Sequence, residues 1–155
     1  METLAELIAS SPVFAGMTDE DLALIAGCAW NIGFKVDEVL FREGDDADTF
    51  YLVRRGRVSL ELHTPDRGGI VIDTAEPGDV VGWSWLFPPY HWHYDARAVE
   101  NVRAIAFDGA CLRGKSTEDT RLGYDLMQRF AAVMIDRLKH TRFRLLDVYG
   151  GTFVG

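Results

Sequence analysis

No stretch of this 155-residue chain approaches the run of about 18 apolar residues that a membrane-spanning helix requires. Its first residues carry Glu2 and Glu6 where a secretion signal would carry Lys or Arg, so a cytoplasmic protein without a membrane partner is expected. Cysteine is nearly absent. Cys28 and Cys111 are too few for a disulfide framework and form no CxxC pair, so two reduced, packed thiols are expected. The chain also lacks a GxSxG elbow, a phosphate-cradling P-loop and an HExxH pair. Without those patterns there is no basis for nucleophilic or metallohydrolase catalysis, and a non-enzymatic protein is expected. The acidic group Glu43, Asp45, Asp46 and Asp48 lacks EF-hand spacing and its closing glutamate, and reads as a solvated turn.

Positive charge is scarce. Sixteen Lys and Arg stand against 24 Asp and Glu, a formal net charge of −8. Such a surface repels a phosphate backbone, so no DNA partner is expected. The one basic cluster, residues 137–144, falls in the last turns of a helical segment, where cations suit the helix dipole.

What is present is a chain of one-domain length in which 48% of residues are apolar, enough to bury a core. The pattern predicts one domain over 1–155, with N-terminal helices over 2–29, a β region over 30–108 and C-terminal helices over 109–149. Thr18 followed by Asp19, Glu20 and Asp21 is a helix start, and Leu22, Ile25, Ala26 and Ala29 supply one buried face. From residue 30 the period falls to two. Trp30, Ile32 and Phe34 alternate with Asn31, Gly33 and Lys35, predicting a strand with those three side chains inward. Further short apolar runs cover Val39–Arg42, Phe50–Val53, Val58–Leu62, Ile70–Thr74, Tyr94–Val99 and Val102–Phe107, separated by Gly, Pro and Asp turns. Strands this short and this regularly spaced argue for a mainly β fold, a sandwich or jelly roll with flanking helices.

From Thr117 to Tyr149 there is no proline and one glycine, Gly123. Met127, Phe130, Met134, Leu138, Leu145 and Val148 form a stripe spaced by threes and fours, with Thr141 in the gap, and Gly150-Gly151 ends it. About thirty residues at 1.5 Å each give a rod of about 45 Å, longer than one domain of this size covers. A homodimer through this helix is therefore expected, unless the helix folds back on its own domain with a bend near Gly123.

Three groups of residues resemble the cyclic-nucleotide-binding domains of the catabolite activator protein class. Ser11–Gly16 followed by Thr18–Leu22 is similar to the family's helical entry. Val39–Asp45, Asp48, Phe50–Val53 and Gly56–Val58 resemble its central strand-turn-strand motif. Pro77–Gly82 resembles the run leading into its phosphate-binding cassette. The resemblance spans residues 4 to 149 and implies a double-stranded β-helix, or jelly roll, closed by a long dimerisation helix. With only Gly150–Gly155 beyond that helix, the family's usual DNA-reading domain is expected to be missing.

Within the cassette the resemblance breaks down. The family places a glutamate for the ribose hydroxyl after the glycine, and an arginine for the cyclic phosphate about a dozen residues on. Here Gly82 is followed by Trp83, and the arginine position falls on Tyr94. Pro88 and Pro89 remove amide donors as well. Leaving a charge without its buried partner costs about 2–5 kcal/mol, roughly 30- to 3,000-fold in affinity. Arg97 could substitute only if its strand turned it inward, and its spacing from Tyr94 points it the other way.

Trp83, Trp85, Phe87, Tyr90, Trp92 and Tyr94 crowd the replaced cassette. They either fill the pocket, line it for a flat or apolar ligand oriented by Ser84, or form a partner-binding surface. His91 and His93 are an H-x-H pair that on a strand would share a face and suit a metal, with no third ligand evident. The expectation is a regulatory sensor that binds a small molecule, with a cyclic nucleotide as one candidate and no cofactor established. Gly82, Trp83, Ser84, Trp85, Tyr94 and Arg97 would line the site, and the C-terminal helix would signal to a partner protein the sequence does not name. The alternatives are an adaptor dimer with an aromatic-plugged pocket, or a metal-dependent cupin-like protein using His91 and His93.

Overall fold

The computed structural model describes residues 2–66 and 68–148, with side chains described to Phe143. Helix α1 (Leu4–Ala9) begins at Thr3 with a reciprocal capping box to Glu6. Helix α2 (Asp19–Ala26) begins at Thr18, whose hydroxyl accepts the Asp21 N–H at 3.2 Å, with three acids in its first turn. Eight strands follow: β1 (Ala29–Phe34), β2 (Val39–Phe41), β3 (Thr49–Arg55), β4 (Val58–Thr64), β5 (Gly68–Ala75), β6 (Val80–Val81), β7 (Asp95–Ala98) and β8 (Val102–Asp108). They form two antiparallel sheets, β1-β8-β3-β6 and β2-β7-β4-β5, the two layers of a jelly roll. A 3₁₀ turn, Ser84–Leu86, lies between β6 and β7, and helices α3 (Gly109–Glu118) and α4 (Thr120–Val148) complete the described chain.

Strand register decides which side chains reach the interior. In the β4–β7 pair, Leu60 lies opposite Ala96, while Ser59 pairs with Arg97 and Glu61 with Asp95. Because side chains alternate, Leu60 and Ala96 face one side and Ser59, Glu61, Asp95 and Arg97 face the other. At β1 the expected inward face is only partly realised. Trp30 is 43% exposed, while Ile32 and Phe34 are half-buried. β1 is an edge strand, paired to β8 alone, so one flank has no neighbouring strand to bury it.

An aromatic cluster joins the first sheet to α4. Phe50 stacks between Trp85 and Phe107 with centroids 4.6 Å away on either side, and Phe130 meets Trp85 edge-on at 5.2 Å. All four are fully buried. Contacts of this kind add about 0.5–1.5 kcal/mol each beyond area burial.

The C-terminal region is two helices, and the break lies earlier than Gly123. Asp119 leaves helical geometry (φ −120°, ψ 92°) and its carboxylate accepts the Leu122 N–H at 3.2 Å, so it starts α4 as a cap. Gly123 serves close packing instead: a Cβ there would meet the Ser116 carbonyl at 2.8 Å. The expected single stripe divides into two faces. Leu122, Leu126 and Phe130 are buried in the domain's own core, while Tyr124, Met127, Ile135, Leu138 and Phe143 are exposed. The side chains of Leu145 and Val148, and the stop at Gly150-Gly151, lie outside the described residues.

The expectation of two reduced thiols is corrected. Cys28, two residues beyond α2, and Cys111, in the first turn of α3, form a disulfide with Cα atoms 5.8 Å apart. Residues separated by 83 positions meet because β1 and β8 pair antiparallel, which brings Ala29 opposite Phe107 and sets α2 beside the start of α3. Spacing along the chain carries no trace of that approach.

Candidate functional site

A cavity of about 430 Å³ lies between the second sheet and α4. Leu60 of β4 and Ile72 and Asp73 of β5 form one wall. Trp83, Ser84, His93 and Tyr94, from the segment linking β6 to β7, form another. Helix α4 closes it with Met134, Arg137, Leu138 and Thr141, one face over two turns of helix. The volume falls in the range of small-molecule sites and the lining is mainly apolar.

The residues expected at the site therefore separate. Trp83, Ser84 and Tyr94 line the cavity. Gly82 is not among the lining residues; it has φ +90° and a backbone so close to the Trp92 ring that no Cβ would fit. Only glycine accepts that angle and that approach together. Trp85 is fully buried in the aromatic cluster and belongs to the core rather than the cavity. Arg97 is on the far face of its sheet, donating to Glu61 at 2.8 Å and to Asp37 at 2.9 Å. Burial raises the Glu61 carboxyl, but the hydrogen bonds from Arg97 and the guanidinium charge outweigh it and hold Glu61 below the usual carboxylate range. A guanidinium so engaged on the far face takes no part in the cavity.

The remaining aromatics have structural places. Trp92 stacks on Phe41 with centroids 3.9 Å apart, Tyr90 sits beneath the Arg113 guanidinium at 4.2 Å and Phe87 is partly exposed. His91 and His93 are not on a regular strand. His91 forms an isolated bridge with Asp46 and sets its Nδ1 3.2 Å from that carboxylate, while His93 faces the cavity. Among the described residues no group of three or more His, Cys, Asp or Glu could hold a metal ion.

Arg137 is the residue that sequence reasoning missed. Its guanidinium donates to the Asp73 carboxylate, reaches the Thr74 carbonyl at 3.5 Å and lies 3.9 Å from Asp79. It was counted within a basic cluster, and only the packing of α4 on β5 singles it out. Tyr94 lies in the same field. Burial pushes its phenol well above the ordinary tyrosine range, Arg137 opposes the shift and Asp73 adds to it, so its hydroxyl stays protonated. Arg137 and Asp73 also border a second cavity of about 460 Å³, where Glu76, Asp79, Asp136 and Arg129 are found.

A cyclic nucleotide-binding domain model matches residues 32–117. The CRP-like cAMP-activated global transcriptional regulator of Mycobacterium tuberculosis is 24% identical over 143 residues, covering 92% of this chain and 62% of that protein. The chain thus spans less than two thirds of that curated relative. The crystal structure of a Geobacter metallireducens protein, provisionally assigned to cyclic nucleotide binding, superposes with a TM-score of 0.79 at 33% identity, covering 89% of this chain and 99% of that one. The N-terminal domain of a Streptomyces coelicolor transcriptional regulator shares the fold, with a TM-score of 0.68 at 24% identity over 90% and 95% of the two chains. Among the described residues no helix is long and apolar enough to cross a membrane.

Proposed function

The chain belongs to the cyclic nucleotide-binding domain family, and on that premise we propose that it is a non-enzymatic regulatory module whose small-molecule ligand occupies the cavity under α4. One observation carries this reading. The cavity is walled jointly by the jelly roll and by Met134, Arg137, Leu138 and Thr141 of α4, so any occupant touches the helix. A ligand shifts an equilibrium only by its differential affinity for two states, and this placement gives it contacts that depend on where α4 sits. Trp83 lines an open cavity rather than filling it, which favours a ligand over an aromatic plug.

The output surface of this reading is the exposed face of α4. Tyr124 and Ile135, on one side of that helix, are 67% and 55% exposed, and a second copy is the occupant in this reading. Light scattering at micromolar concentration should give twice the monomer mass. A monomer would sink the homodimer and leave the cavity reading standing.

The direct test is a titration with cyclic AMP and cyclic GMP, followed by tryptophan fluorescence and hydrogen exchange. Trp83 is the reporter because it lines the cavity, whereas Trp30 is on β1 and Trp85 and Trp92 are buried in the core. Saturable quenching with slowed exchange in α4 supports the module. Binding that leaves α4 exchange unchanged would remove the signalling half of the proposal.

A further inference from the structure

The same cavity speaks to the chemistry of its ligand, an inference that rests on the regulatory-module reading. We infer that it takes an uncharged, flat, largely apolar molecule and discriminates against phosphate- or sulfonate-bearing ones. Charge comes first. The guanidinium bordering the cavity is Arg137, whose Nη1 donates to Asp73 and Thr74 and whose Nη2 lies 3.9 Å from Asp79, so its charge is already paired with carboxylates. The next guanidinium, Arg129 in the neighbouring cavity, is held by Asp125 and by the Val13 and Ala15 carbonyls. Glu76, Asp79 and Asp136 line that neighbouring space. An anion in the cavity would thus lie near a neutralised arginine and several carboxylates. Arg97, on β7, faces away and is paired twice.

Shape and polarity point the same way. Leu60, Ile72, Met134 and Leu138 offer aliphatic walls, and the Trp83 indole offers an aromatic one. The Ser84 and Tyr94 side chains line the cavity, and each hydroxyl can serve a neutral acceptor or donor. Beside the Arg137–Asp73 pair, the polar lining is the His93 imidazole and three hydroxyls, Ser84, Tyr94 and Thr141, the last donating to the Arg137 carbonyl. Set among aliphatic side chains and one indole, they suit a ring system with few polar groups. Removing a charged ligand from water into it would lack the paired charge that normally compensates desolvation.

The test uses two fluorescent probes sharing a ring skeleton, neutral N-phenyl-1-naphthylamine and anionic 1-anilinonaphthalene-8-sulfonate, with the full chain. The neutral probe should bind saturably, with energy transfer from Trp83, at least about tenfold more tightly than the sulfonate, a difference of about 1.4 kcal/mol. Met134→Trp or Leu60→Phe, which fill the cavity, should abolish the transfer, and circular dichroism checks that each variant folds. Asp73→Asn releases Arg137 and should close most of the gap between the probes. If cyclic AMP or cyclic GMP instead binds at low micromolar concentration, displaces the neutral probe and loses its affinity in Arg137→Ala, the charge argument is overturned while the module reading survives. If no probe and no nucleotide binds, or if cavity-filling variants change nothing, both fall together.

Discussion

Arg137 of α4 donates from Nη1 to the Oδ2 atom of Asp73 on β5, 64 positions away in the chain. The pair has side-chain exposures of 13% and 20%, so it is largely removed from solvent screening. It ties the helix to the wall of the cavity that the helix closes.

Replacing Arg137 by Ala should therefore loosen α4 as well as lower stability. Leaving Asp73 without its partner is expected to cost about 1–3 kcal/mol in denaturant unfolding. Amides beyond Val133 should exchange faster than those near Leu122 and Leu126, which the core still holds. Uniform exchange along α4 would show that the pair is not a local tether.

Two neighbouring tryptophans should behave in opposite ways. Trp85→Ala removes a fully buried ring from between Phe50 and Phe130 and should cost about 3–5 kcal/mol. Trp83→Ala should cost less than about 1 kcal/mol while removing the fluorescence response to any cavity ligand. Chemical denaturation and titration of both variants decide it, and equal destabilisation would count against the assignment of Trp83 to the cavity.

The Cys28–Cys111 disulfide closes a loop of 83 residues. By the loop-entropy argument Cys111→Ser should lower unfolding stability by about 2–4 kcal/mol. Adding a dithiol reductant to the unsubstituted protein should produce the same drop and have no effect on the variant. A reductant-insensitive transition in the unsubstituted protein would mean that the bond is not formed in solution.

Asp21 is buried, and both its oxygens are bonded by Arg121, at 2.7 and 2.9 Å. The Arg121 hydrogen bonds, opposed by burial and helped by the guanidinium charge and the Thr18 contact, hold its carboxyl below the usual aspartate range. A depressed folded-state pKa stabilises the protein above the unfolded value, about 3.9, and that contribution is lost as pH falls through the folded value. The stability gap between the unsubstituted protein and Asp21→Asn should therefore be constant from about pH 6 to 5 and shrink below about pH 4. A gap independent of pH would reject the assignment.

Much of the fold was legible because its signals are local. Thr18 with its acids marked α2, alternation marked the strands, and loss of proline marked the long helix. The long helix was expected from Thr117 and runs from Thr120, because Asp119 ends α3 and caps α4 by its own backbone and carboxylate, and it passes through Gly123, where the fold-back alternative had put a bend. The site was half legible. Trp83, Ser84 and Tyr94 stood out by departing from a recognisable cassette, but Trp85, two positions from Trp83, went to the core. Nothing in the order of aromatics says which ring a 3₁₀ turn will send inward.

Local propensity, alternation and turn chemistry act between residues a few positions apart, so they left a mainly β fold and the long helix legible in the sequence, while the jelly roll and the cassette segment that walls the cavity were legible through the family resemblance. The Cys28–Cys111 bond, the Arg137–Asp73 pair and the two-sided burial of α4 join residues brought together only by strand pairing and helix docking. Those contacts depend on where whole elements come to rest. The tertiary structure alone decided them, and with them the charge and shape of the cavity.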